Sequence, residues 1–138
     1  MAKATRVNHL IVETADEVGM MAKVCSAISD AGVNIRALSA YAEEGKGYFR
    51  LLTEDNSKAE QALKSAGFGV SQEEAVAVEL ENEVGAAKIM AKKLADAGVN
   101  LKKCYGSTGN GTMALLVFNS SDNEKAIKVL TTIPSAGE

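Results

Sequence analysis

Asp30-Ala31-Gly32-Val33-Asn34 decides how this chain is read, because it returns 66 residues later, Gly32 to Gly98, as Asp96-Ala97-Gly98-Val99-Asn100. Glu17-Val18-Gly19 returns in the same register as Glu83-Val84-Gly85, and Gly45 falls on Gly111. Three separate matches in one register indicate a duplication, and a repeat must be recognised before any fold is assigned. The 138 residues then divide into two units, expected at 1–72 and 73–138.

Working outward from the repeat gives the elements. Leu10-Ile11-Val12 and Val76-Ala77-Val78 are short apolar runs that lead into a Gly turn, and they read as strands. Met21, Val24, Cys25, Ile28 and Ala31 then recur at helical spacing, as do Ala87, Met90, Ala91, Leu94 and Ala97. Gly32 and Gly98 follow as helix-ending residues. Residues Ile35 to Tyr41 and Leu101 to Tyr105 read as second strands, and Tyr48 to Leu52 and Met113 to Phe118 as third strands. The third strands are reached through hairpin loops at Glu43 to Lys46 and Ser107 to Gly111. Asn56 or Ser57 is expected to cap a second helix that stops at Gly67, and Ser121 or Asp122 its counterpart, displaced by one residue from the repeat.

Each unit therefore reads β-α-β-β-α. A fourth strand near Gly69 to Glu73 completes the βαββαβ order of the split βαβ, or ferredoxin-like, fold. The fold class is α+β: two such units in tandem, eight strands and four helices, with antiparallel sheets and helices on one face. The end of the second unit supplies no equivalent strand, because Pro134 lacks an N–H and the tail is short. The same register maps Gly69 to Glu73 onto Lys3 to Val7, so Ala4 to Val7 is expected to complete the second sheet. Leu38, Ala40, Phe49 or Leu51 are expected on the helix-free face, which must pack on another unit within the chain or in a homodimer.

Composition excludes several classes of function. Hydrophobic residues make up 46% and charged residues 24%, so the chain is globular rather than disordered. Fifteen Lys plus Arg against eighteen Asp plus Glu give a net charge of −3, which argues against a nucleic-acid partner. No apolar run approaches the roughly 20 residues that span a bilayer, so no membrane partner is expected. Met1 to Arg6 opens no secretory leader, and a cytoplasmic location is expected. Two cysteines and one histidine leave no metal site, no cofactor and no nucleophile–base pair, so no enzyme is expected. Cys25 and Cys104 read as small core residues, His9 as a structural histidine, and Met20 and Met21 as core with one able to line a pocket. The Gly106-to-Gly111 segment has the composition of a phosphate cradle but joins two strands and opens no helix, so the anion-site argument fails.

The Asp16-Glu17-Val18-Gly19 turn, the amphipathic helix and then Ala31-Gly32-Val33-Asn34-Ile35 resemble an ACT domain, and the whole chain resembles the small stand-alone tandem ACT proteins. Val18 and Val84 stand where the family often has Pro. The resemblance implies an amino-acid-binding regulatory protein that dimerises and holds its ligand between two ACT units. It implies contacts from Val18, Gly19, Met20, Asn34 and Ile35, and from Val84, Gly85, Ala86, Asn100 and Leu101. The chemistry suits a zwitterion. N–H groups at a helix start favour a carboxylate, an Asn amide both donates and accepts, and Glu17 or Glu83 can accept from an ammonium. Output then needs a separate effector protein.

Against this stand bland readings. Gly19 and Gly85 equally suit a tight turn, and Asn34 and Asn100 can satisfy local backbone. The alternative function is a ligand-free interaction or dimerisation module on the same fold. An acylphosphatase-like enzyme would need an Arg in the first turn, which Thr14 to Gly19 and Leu80 to Gly85 lack. A nucleotide-binding PII-type signalling protein would need a longer loop and basic phosphate ligands.

Overall fold

The computed structural model describes residues 2–108 and 111–131. Ten elements follow one another: β1 (Lys3–Ala15), α1 (Met20–Asp30), β2 (Ile35–Glu43), β3 (Lys46–Thr53), α2 (Asn56–Ser65), β4 (Val70–Glu81), α3 (Ala86–Asp96), β5 (Leu101–Ser107), β6 (Met113–Ser120) and α4 (Asn123–Leu130). They form two compact units. The first comprises residues 8–73; the second combines the residues before Asn8 with those from Glu74 onward.

In the first unit the hydrogen-bonded strand order is β2-β3-β1-β4, and in the second it is β5-β6-β4-β1. Both are ferredoxin-like βαββαβ units. The eight strands expected from the repeat are six in the chain, because β1 and β4 each contribute to both units. The reason is local: neither Lys3–Ala15 nor Val70–Glu81 contains a Gly or Pro that would break the run. Residues 3–7 thereby lie in the second unit, whose core includes Ala2 and Ala4. The expectation about Pro134 and the tail falls outside the described residues.

Side-chain alternation along the strands sets the cores. Register partners Leu10 and Leu51, and Val12 and Phe49, lie on the helix side and meet Val24 and Ile28 of α1 and Ala59 and Leu63 of α2. The second unit does the same with Val76, Val78 and Phe118 against Met90, Leu94, Ala126 and Leu130. This corrects the expected helix-free face. Leu38 packs with the helix-side core, Phe49 and Leu51 belong to it, and Ala40 pairs with Phe49. The opposite face carries Tyr41, Tyr48, Arg50 and Leu52. A shift of one residue in a period of two exchanges the faces, and Arg50, the polar residue of the run, lies buried on the helix-free face instead of marking solvent.

The caps also need one correction. Asp55, not Asn56 or Ser57, caps α2, its side chain accepting from Lys58 N–H at 3.1 Å. Asn56 is the first helical residue, and its Oδ1 accepts from the Thr53 hydroxyl at 2.7 Å. Asp122 caps α4 in the same way, accepting from Lys125 N–H at 3.0 Å, while Asn123 holds Ser120 at 2.7 Å. Asp55 maps to Asp122 at 67 rather than 66 residues, so one extra residue sits between Gly111 and β6. Among the described residues no helix is long and apolar enough to cross a membrane.

Candidate functional site

The site expected from the repeat begins where β1 gives way to α1. Asp16 N–H donates to Gly45 O at 3.1 Å and Met20 N–H to Glu17 O at 3.3 Å, which closes the turn against the β2–β3 hairpin. Gly19 enters α1 at φ +88° and Gly85 enters α3 at φ +87°, both left-handed. A Cβ at either position would meet nothing within 4 Å, so glycine is required by the backbone and not by packing. Neither helix start has a side-chain cap. The N–H groups of a first helical turn have no intrahelical partner and carry the positive end of the helix dipole. Val18 and Val84, at the tips, are fully exposed.

Asn34 and Asn100 lie at the other end of each helix. Their carbonyls accept from Glu54 N–H and Ser121 N–H, both at 2.9 Å, and Asn100 N–H donates to Ser121 Oγ at 3.0 Å. Both residues are exposed, while Ile35 and Leu101 pack partly against their cores. Within the first unit the turn touches the hairpin that ends β2, whereas Asn34 precedes the start of β2. Nine residues of strand separate them by roughly 27 Å. The unit therefore does not bring Val18, Gly19 and Met20 together with Asn34 and Ile35.

Beside the first turn is a cleft of about 220 Å³. Its floor is the helix side of the sheet beyond the start of α1, where Thr14, Ala40, Ala42, Gly47 and Phe49 lie. Met20 and Met21 form the wall, and Asp16 and Glu17 stand at the rim. Met21 is thus exposed rather than core. Thr14, Ala42 and Gly47 of the cleft floor belong to no motif of the sequence. The comparison that reveals them is between the repeats, since Thr14 opposite Gly47 is matched by Leu80 opposite Ala114.

The other face of the first unit holds a buried polar group that the motifs also missed. Arg50, 9% exposed, donates through Nε to Glu73 Oε1 at 3.3 Å, and His9 Nδ1, on a residue 2% exposed, is 3.9 Å from the same oxygen. Burial pulls the Arg50 pKa down, but hydrogen bonds to Glu73 and Tyr41 outweigh it and raise the value, so the guanidinium stays charged. Tyr41 stacks on Tyr48 with ring centroids 5.1 Å apart. A buried charge must be paired, and this set meets that need without a reactive geometry. Cys25 is half-buried and Cys104 exposed, which corrects their reading as core residues; partial desolvation raises the Cys104 thiol pKa. Among the described residues no three His, Cys, Asp or Glu side chains are grouped to hold a metal.

The family model of the ACT domain matches residues 9–66, which span the turn, α1, Asn34 and α2. Residues 9–66 are an ACT domain. The second unit has the same element order and the same left-handed glycine at its turn, so it repeats the architecture of the first. Among solved structures, protein BT0572 from Bacteroides thetaiotaomicron superposes with a TM-score of 0.86 at 26% identity, covering 93% of this chain and 88% of its own. The ligand-free regulatory subunit of aspartate kinase from Thermus thermophilus matches at TM-score 0.66 and 14% identity, over 94% of both chains. The corresponding subunit from Thermus flavus matches at 0.60 and 16%, also over 94% of both. At these identities the two kinase subunits show a shared fold. No curated protein matches the chain.

Proposed function

We propose that this tandem ACT chain is a non-enzymatic regulatory protein that binds a small molecule, an amino acid, at the turn between first strand and first helix of a unit. The observation that carries the reading is the uncapped start of α1 beside an open cleft with two carboxylates at its rim. N–H groups on one side and carboxylates on the other match the two charges of a zwitterion. Asn34 and Ile35, or Asn100 and Leu101, contribute from a neighbouring ACT unit, because within the first unit the turn and Asn34 stand at opposite ends of β2. The ACT match and the fold shared with kinase regulatory subunits support a regulatory role, with the output passed through a homodimer to a separate effector.

The second reading, an interaction module without ligand, is favoured by Val18 and Val84, two fully exposed apolar side chains at equivalent turns. A thermal-shift series with the twenty amino acids separates the two. A ligand at 100 times its Kd adds about 2.7 kcal/mol of stability and raises Tm visibly. No shift with any amino acid overturns the binding reading in favour of the interaction module.

A further inference from the structure

The two units differ most where their registers correspond. In the first, Thr14 faces Gly47 across the β1–β3 pair, and the Thr14 hydroxyl turns away to Ala15 O at 2.9 Å. A Cβ on Gly47 would come 2.7 Å from Thr14 Oγ1, so glycine is needed there to make room for the small Thr14 side chain. In the second unit the same pair is Leu80 and Ala114. Leu80 is 4% exposed and belongs to the core, and Ala86, Ala114 and Leu116 pack against that core. The methionines of the cleft wall are replaced by Ala86 and Ala87. A leucine thus fills the floor that threonine and glycine leave open in the first unit.

We infer that the first-unit cleft is the amino-acid site, that it holds one ligand per chain, and that it selects an aliphatic or thioether side chain of about leucine or methionine size. This rests on the amino-acid-binding reading above. The volume of about 220 Å³ corresponds to about seven waters, room for one amino-acid side chain. Met20, Met21 and Phe49 offer apolar contact to the ligand side chain. The cleft lining includes Asp16 and Glu17 and no Lys, Arg or His, and Lys46 of the adjoining hairpin is held by Glu13 at 2.8 Å. An acidic side chain would meet like charge there. A zwitterion places its ammonium at the rim carboxylates and its carboxylate at the first-turn N–H groups of α1.

Calorimetric titration of the full chain with leucine, methionine, aspartate and phenylalanine tests this. Thr14→Leu copies the second unit into the first; Ala40→Leu fills the cleft from an exposed strand position and keeps the test intact if the Thr14 variant misfolds. Leucine or methionine should bind at one per chain, at least tenfold tighter than aspartate or phenylalanine. Each cleft variant should weaken binding at least tenfold, and Ala87→Leu in the second unit should leave it unchanged. Two ligands per chain, a preference for aspartate or phenylalanine, or full affinity in a folded cleft variant would overturn the inference while leaving amino-acid binding standing. No binding by any of the twenty amino acids overturns both.

Discussion

At Gly19 and Gly85 the left-handed backbone is the whole constraint, since open space surrounds the missing Cβ. Gly19→Ala should therefore cost about 1–2 kcal/mol, the penalty of the left-handed region for an L-residue, without repacking its neighbours. Urea denaturation measures it, and a cost near zero would show that the turn relaxes. Asn34 and Asn100 are the converse case: their backbone carbonyls clamp the turns to α2 and α4 while the side chains are exposed. Asn34→Ala and Asn100→Ala should leave stability within about 0.5 kcal/mol. If the amides hold ligand, loss of one hydrogen bond costs about 1–3 kcal/mol and affinity falls roughly ten- to hundredfold. Unchanged affinity in both variants removes these residues from the site. The repeated glycines and asparagines were legible because duplication marks them twice. His9, Arg50 and Glu73 were not, because they meet through strand pairing across a sheet and their repeat positions hold apolar residues.

At the scale of elements, the helix stripes and strand runs were readable from period alone, but the faces and caps were not. Asp55 and Asn56 are both good caps by residue type, and the structure assigns Asp55 the helix and Asn56 the preceding Thr53. Asp55→Ala and Asp122→Ala should each destabilise the unit concerned by about 1 kcal/mol, within the usual range for a lost N-cap. Equilibrium unfolding of each variant checks this, and no change at Asp55 would shift the capping role to Asn56. The face of β2 and β3 was misread because Arg50, the one polar residue in Tyr48 to Leu52, is flanked by apolar residues on both faces and is itself buried, so its charge did not mark a solvent side. Only the register, Leu51 opposite Leu10 on a strand already tied to α1, resolves it. The cleft was hidden for a related reason: it is made by small residues, Ala40, Ala42 and Gly47, whose meaning lies in what they leave open.

At the scale of the whole molecule, two units share strands instead of being joined by a linker. Lys3–Ala15 enters as an edge strand of the second unit and continues as a central strand of the first, while Val70–Glu81 does the reverse. Residues 2–7 therefore serve the unit farthest from them in sequence, where Ala2 and Ala4 are buried in the core. Arg6 and Glu74, both about half exposed, form an ion pair at 3.7 Å, and exposed pairs add little. The main loss on removing residues 2–6 is the strand itself, which exposes the apolar edge of β4 beside Val76 and Val78. The truncated chain should lose stability mainly in the second unit. Hydrogen exchange should accelerate at the amides of 74–81 and in α3 and α4, while 46–53 and α2 keep their protection. The truncated protein should also self-associate more readily through the bared edge, which light scattering detects. Equal protection in both units, or acceleration confined to the first, would show that residues 2–6 are dispensable to the second sheet and that its core closes without them.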